Sequence, residues 1–287
     1  MEEVKRQGHL LVAEDISALG SLSLTAALPL LAQLGIPTAL LPTSILSTQS
    51  EGFDQPVSLS TAKWLPRVWK HWQEQQVVLD SVLIGYIGEL AVGTELNSLL
   101  AKIEPTHVVI DPVFADNGQL YPTFIEQHLQ QLYQLLKWAN IITPNYTEAC
   151  FLAAGQVGSP LKQQFVFTEA ELLQKLGKII LPGGKVVITG VVEQATNQIG
   201  CIWLDESGQV IRKMFPRLAG HFYGSGDVFA ALLAGFTWQG LAFSAAINEA
   251  AELTYLALRE TAETNSERRL GIRLSRVMAK LAQKMNK

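Results

Sequence analysis

The sequence predicts one three-layer α/β domain spanning residues 1–287, with a mostly parallel sheet between two layers of helices. Three observations predict it. Short apolar runs alternate with longer stretches of helical periodicity, the pattern of βαβ units. Hydrophobic residues make up 48% of the chain and charged ones 17%, enough apolar mass for a sizeable core. No repeat, low-complexity tract or linker-like composition divides the chain, and folds of this class often exceed the average domain length.

Residues 10–13 read as a first strand and 19–34 as the helix behind it. Residues 37–41, 77–86, 107–111, 140–143 and 185–189 follow as strands, with helices near 89–101, 123–138, 148–153 and 168–180 between them. Residues 199–204 and 210–215, separated by Asp205-Glu206-Ser207-Gly208, form a hairpin at the sheet edge. Helices near 227–239, 243–261 and 268–285 come last.

The formal charge of −4 gives no support to nucleic-acid binding. Residues 16–50 carry no charge, yet Pro29, Gly35, Pro37 and Pro42 cut them into pieces shorter than the about 20 residues of a membrane span. Met1-Glu2-Glu3-Val4-Lys5-Arg6 lacks the pattern of a secretory leader, and Cys150 and Cys201 stand far apart in no metal-ligand spacing. A soluble, cytoplasmic protein with no membrane partner and buried, reduced thiols is expected. Residues 267–287 hold seven Lys/Arg against one Glu, a local +6 that leaves −10 elsewhere. Leu270, Leu274, Val277, Met278, Leu281 and Met285 recur there at helical spacing, so a terminal helix with its apolar stripe on the body and its basic face in water is expected.

The chemistry concentrates at the expected strand ends, where open α/β sheets bind ligands. Asp111 and Asp116 follow one strand; Thr143, Asn145 and Glu148 follow another; Thr189 and Gly190 follow a third. Gly224-Ser225-Gly226-Asp227 precedes the apolar run 228–236. Two glycines there allow a tight turn, and the helix start aims free backbone N–H groups at one point beside a carboxylate. An anion hole with an adjacent base suits phosphoryl transfer to an alcohol. Asp111, Asp116 and Glu148 are hard oxygen ligands suited to Mg²⁺, directly or through water. The P-loop pattern is absent, Phe229 occupies the third glycine position of a dinucleotide fingerprint, and the five histidines form no metal motif. His9 and His107 read as structural, and His221 borders the glycine turn.

With these residues assembled, the chain resembles the ribokinase-like superfamily and, within it, the pyridoxal/pyridoxine/pyridoxamine kinases. The resemblance runs through residues 15–20, residues 23–29, Leu41-Pro42-Thr43, Leu46-Ser47-Thr48, Gly85-Tyr86, residues 111–118, residues 142–149, Val187-Ile188-Thr189-Gly190 and residues 220–227, nearly the whole chain. It implies ATP-dependent phosphorylation of the 5′-hydroxymethyl group of a vitamin B6 vitamer, pyridoxal, pyridoxine or pyridoxamine, for pyridoxal phosphate salvage. It implies Asp227 as the base, with Gly224, Ser225 and Gly226 cradling the transferring phosphoryl group. Asp111, Asn145, Glu148, Thr189, Gly190, Gly224 and Gly226 match ATP-side positions. Asp116, Glu148, Asp111 and Thr143 match positions around Mg²⁺ and a monovalent cation (K⁺ or Na⁺). Asp15, Ser50, Tyr86, Tyr121 and Asp227 match the vitamer pocket, and the family suggests a homodimer. Departures fall in that pocket: Gln49-Ser50 stands where His-Thr is common, Glu14-Asp15 replaces a polar pair, and Ser21-Leu22 replaces Arg-Cys. A kinase for a related hydroxymethylpyrimidine and a non-catalytic vitamer-binding relative are the alternatives.

Overall fold

Alternate strand residues point to opposite faces of a sheet, so apolar side chains at every strand position require cover on both sides. The computed structural model describes residues 8–121, 124–155, 167–264 and 267–285, and both faces are covered. In chain order the elements are β1 (His9–Ala13), β2 (Ile16–Ser17), α1 (Leu24–Gln33), β3 (Thr38–Leu40), β4 (Ser44–Leu46), β5 (Ser58–Ser60) and α2 (Leu65–Glu74). Then come β6 (Leu79–Ile84), α3 (Leu90–Ile103), β7 (His107–Ile110), β8 (Ala115–Asp116), β9 (Gln119–Leu120), α4 (Glu126–Leu136), β10 (Ile141–Ile142) and α5 (Tyr146–Ala154). The last are α6 (Glu169–Gly177), β11 (Lys185–Glu193), β12 (Gln198–Leu204), β13 (Val210–Pro216), α7 (Ser225–Trp238), α8 (Phe243–Glu263), a short 3-10 turn (Arg268–Leu270) and α9 (Ser275–Met285).

The main sheet has the order β13-β12-β11-β10-β7-β6-β1-β3. Its strands from β3 to β11 are parallel, and β12 and β13 add an antiparallel edge. Leu11, Val82, Val108, Ile142 and Ile188 face a core shared with α2 to α6. Leu10, Val12, Leu83, Val109, Ile141 and Val187 face a second core shared with α1, α7, α8 and α9. This is the three-layer sandwich with a mostly parallel sheet, and the hairpin lies at the edge.

Several expectations need correction. The helix expected over 19–34 starts at Leu24, because Gly20 (φ 104°) and Ser23 (φ 46°) turn the chain and Ser21 pairs with Gly271. The terminal helix expected over 268–285 is a 3-10 turn and a separate α9, broken at Gly271 (φ 89°). The basic face of α9 is exposed, as expected, and pairs at the surface with acids of α8, Arg276 with Glu263 at 2.6 Å and Lys284 with Glu249. Val277 and Leu281 do face the core. The strand expected at 185–189 continues to Glu193 past a register shift between Ile188 and Val191, which displaces Thr189 and Gly190 from the ladder. Unpredicted are the small sheet β2-β4-β5, the β8–β9 hairpin and α2. The α2 spacing Leu65, Val68, Trp69, Trp72 was readable as i, i+3, i+4, i+7. Thr123, where a helix was expected to begin, and Lys287 lie outside the described residues.

His107 hydrogen-bonds Thr237 Oγ1 at 2.9 Å, at the end of the sheet away from Asp111. No helix among the described residues is long and apolar enough to cross a membrane. α1 packs closely on α7 because Gly235 leaves room: a Cβ there would stand 2.6 Å from Leu34 Cδ1 and 3.3 Å from Leu31 Cδ2. Leu31 is fully buried at this contact. We expect Leu31→Ala to cost about 2–5 kcal/mol of stability, read from the urea unfolding midpoint.

Candidate active site

The register of the parallel strands fixes the floor of the site. Ala13, Ile84, Ile110 and Ile142 lie side by side, so the next residues, Glu14, Gly85, Asp111 and Thr143, form one row at the carboxyl edge. Gly85 has no side chain, and Glu14 leans across it: a Cβ at Gly85 would stand 2.8 Å from Glu14 Cγ. Thr143 Oγ1 donates to Asp111 Oδ1 at 2.8 Å. The amino end of α7 roofs this row. A Cβ on Gly226 would approach Asp111 Oδ2 to 3.3 Å, so Asp111 lies directly beneath the first turn.

Gly224 caps α7 with φ 88°, a conformation that costs glycine little. Its missing Cβ also leaves space for the Ser21 carbonyl, 3.3 Å from where that atom would be. Asp227 sits in the first turn, and its Oδ2 accepts the Ser23 N–H at 2.6 Å. Burial raises the Asp227 pKa, and the Ser23 amide pulls it back. The first-turn N–H groups of α7 carry the positive end of its dipole to the same place.

Glu14, Asp15 and Asp111 are buried, and their electrostatics follow from crowding. Burial, then Asp227, Asp15 and Asp111, holds Glu14 well above the usual carboxylate range. Asp15 is pushed up to about 6, by burial first, against a hydrogen bond from Ser23. Asp111 is pushed up to about 7 by burial and by Asp227, against the Thr143 hydroxyl. Glu14 Oε2 is buried with no hydrogen-bond partner among the described residues. The site is short of positive charge.

A second wall comes from β10, α5 and the β8–β9 hairpin. Asn145 caps α5 in a reciprocal capping box with Glu148. Glu148 Oε1 accepts from Phe114 N at 3.0 Å and Ala115 N at 3.4 Å, and Oε2 from Asn145 N at 2.8 Å. Oε1 is thus engaged by the backbone of the segment that carries Asp116, and Oε2 by the backbone of the α5 cap. Burial and Asp111 raise the Glu148 pKa, and the amides lower it. Asp116 is partly exposed, holds the Asn117 N–H at 2.7 Å, and lies 3.9 Å from His221 Nδ1. Thr189 bridges to Asn145, and Gly190 (φ 65°) stands beside the Asn145 Cβ.

Tyr121 joins the two walls. Burial, Glu148, Glu51, Asp116 and Asp227 together drive its hydroxyl pKa far up. Tyr86 is partly buried after the floor row; its carbonyl accepts the Thr43 hydroxyl at 2.8 Å and its ring lies against Gly88. Ser50 is exposed on the loop between Gln49 and Phe53. Glu51 is not among the residues the sequence singles out; its signal is only positional, beside Ser50, and burial raises its pKa, with His221 lowering it and Asp116 adding to the rise. Gln49 is not turned to the pocket by its amide nitrogen, which donates to the Arg269 carbonyl at 2.6 Å.

The model of the phosphomethylpyrimidine kinase family matches residues 31–270. Among solved structures, the pyridoxal kinase of Lactobacillus plantarum superposes with a TM-score of 0.89 at 35% identity, over 97% of this chain and 98% of that one. A Bacteroides thetaiotaomicron protein assigned as a phosphomethylpyrimidine kinase, crystallised with pyridoxal, gives 0.85 at 26% identity over 96% of each chain. The pyridoxal kinase PdxY of Granulibacter bethesdensis is 25% identical over 195 residues, 65% of this chain and 66% of that protein. Relatives from Caenorhabditis elegans and Schizosaccharomyces pombe are 32% identical over 161 and 162 residues, and the match spans about half their length, 46% and 49%. Matched by one family model across most of its length, and by a pyridoxal kinase almost end to end, the chain belongs to the phosphomethylpyrimidine kinase family of ribokinase-like proteins, in which pyridoxal kinases also fall.

Proposed function

We propose that the chain transfers the γ-phosphoryl group of ATP to the 5′-hydroxymethyl group of a B6 vitamer. The observation that carries this reading is Asp227, partly buried in the first turn of α7, beside the N–H groups of that turn and above the Asp111–Thr143 pair. Asp227 accepts the hydroxyl proton, and the burial that raises its pKa makes it a stronger base than a fully solvated carboxylate. The N–H groups of the α7 first turn stabilise charge on the phosphoryl oxygens. Thr189, Gly190 and Asn145 flank the nucleotide, while Asp15, Ser50, Tyr86 and Tyr121 line the acceptor side.

The residues fit a divalent cation of the Mg²⁺ type. Their oxygens are hard donors, burial and then neighbouring carboxylates raise the pKa values of Glu14 and Asp111, and Glu14 Oε2 lacks a hydrogen-bond partner among the described residues. No three acidic, histidine or cysteine side chains among the described residues form a complete metal shell. Asp111 and Asp116 would therefore hold Mg²⁺ together with phosphates and water, Glu148 acting through the Asp116 segment; Thr143 and Asp111 would serve a monovalent cation. When bound, these cations supply charge neutralisation of the phosphates. A cytoplasmic homodimer completes the reading, and light scattering of the purified protein tests the assembly.

A second reading is favoured by the matching family model: phosphorylation of a hydroxymethylpyrimidine. Incubation with Mg·ATP and each of pyridoxal, pyridoxine, pyridoxamine and hydroxymethylpyrimidine should yield the 5′-phosphate of a vitamer; turnover of the pyrimidine alone would transfer the assignment to it. Binding of a vitamer with no turnover would make the chain a non-catalytic relative. We expect Asp227→Asn to lower kcat by roughly 10²–10⁴ while ATP binding survives. Near-normal kcat would remove Asp227 from the base role.

The pKa shifts also set a pH dependence of stability. Asp15 and Asp111 rise from 3.8 to about 6 and about 7 on folding, so the folded state binds protons more tightly than the unfolded chain. Their contribution is complete below the unfolded value and is lost as pH rises through 6 to 7. The protein without ligands should therefore melt at higher temperature at pH 5 than at about pH 8, and Asp111→Asn should flatten that slope. Mg·ATP should raise the melting temperature most at the alkaline end.

A further inference from the structure

The segment Glu267–Gly271 touches three separate loops around Asp227, and none of its residues belongs to the machinery described above. Its backbone holds the first loop: Ser21 N donates to Leu270 O at 2.8 Å, Ile272 N returns to Ser21 O at 3.4 Å, and Ser21 pairs with Gly271. That loop carries the Ser23 amide bonded to Asp227 and the Ser21 carbonyl packed on Gly224. Arg269 holds the second loop, the one bearing Ser50 and Glu51. Its Nη1 donates to Gly52 O at 2.7 Å, its guanidinium lies 4.5 Å from the Phe53 ring centroid, and its carbonyl accepts Gln49 Nε2 at 2.6 Å. Glu267 pairs with the same guanidinium.

Arg268 holds the third loop, which leads into Gly224 and carries His221. Its Nη1 donates to Ala219 O at 2.5 Å, and its guanidinium lies 4.4 Å from the Phe222 ring centroid. Glycines mark the closest approaches. A Cβ would stand 2.2 Å from Arg268 Nη1 at Gly220, 2.9 Å from Arg269 Cδ at Gly52, and 2.2 Å from Ser21 O at Gly271. The second and third loops also meet directly, since a Cβ on Gly52 would come within 3.1 Å of the Tyr223 hydroxyl.

We propose that Arg269 and Arg268 are positioning residues, Arg269 fixing the acceptor loop Gln49–Phe53 and Arg268 fixing the loop Ala219–Phe222 ahead of the α7 turn. The proposal rests on the kinase reading for its effect on turnover. A guanidinium is suited to this work: it is planar, donates in several directions and stacks on a ring, which an ammonium cannot reproduce. Gln49, one of the departures at the pocket, is a partner of this strap through the bond from its side-chain amide to the Arg269 carbonyl.

The test compares Arg269→Ala, Arg269→Lys and Arg268→Ala with the unaltered full chain, by kinetics on both substrates and by amide hydrogen exchange. Arg269→Ala should raise the acceptor KM by about tenfold, with kcat within about threefold and the ATP KM within about twofold. Arg269→Lys should recover part of that loss. Exchange should accelerate in residues 47–54 for Arg269→Ala and in residues 217–223 for Arg268→Ala, each without the other. Equal changes for both substrates with a uniform rise in exchange would overturn the proposal, and so would wild-type kinetics with unchanged exchange. If the unaltered chain phosphorylates no acceptor, the kinase reading falls and the effect on turnover falls with it. The exchange pattern then decides separately whether the two arginines hold their loops.

Discussion

Crowding of acidic groups beneath one helix end is the constraint around which the site is organised. Glu14, Asp15 and Asp111 lie at or near the carboxyl edge of the sheet with almost no access to water, and Asp227 stands above them. No Lys or Arg among the described residues forms an ion pair with any of them. Ionised together in a poorly solvated space, such groups repel strongly. The positive end of α7, the Thr143 hydroxyl and the Ser23 amide offset part of that repulsion. What remains is a standing preference for cationic contents, which suits a site proposed to gather metal ions around phosphates.

The same constraint explains why so much backbone is devoted to holding loops. Glu148 is the clearest case. A carboxylate whose place in the sequence suggests the metal side of the site also accepts three main-chain N–H bonds, two of them from the turn that leads to Asp116. It serves as an internal cap, while Asp116 is the more exposed of the two acids.

The fold was legible because its cause is local. The uninterrupted apolar runs Leu10–Ala13 and Val108–Ile110 require cover on both faces of the sheet, and a local reading of the sequence reports that directly. The residues gathered at the carboxyl edge were legible for a related reason, since strand ends are where such sheets bind ligands. What the sequence concealed depends on long-range pairing. The strands β2, β4 and β5 are two or three residues long and partly polar, and they exist because they pair with one another. The break at Gly271 is set by the Ser21 carbonyl, some 250 residues earlier in the chain and so beyond any local pattern. Gln49 could be recognised as unusual, but not that its amide reaches Arg269.

The strap has a consequence for how the molecule acquires its shape. Gln49 and Gly52 wait for a partner 220 and 217 residues further along the chain. Contacts of such separation carry a loop-closure cost that earlier, more local packing must first offset. The sheet and its helices can assemble while the Gln49–Phe53 loop is still untethered. The candidate site's geometry is then completed by a stretch synthesised long after the residues it organises, so a chain can be well folded by most spectroscopic measures before that site has taken form.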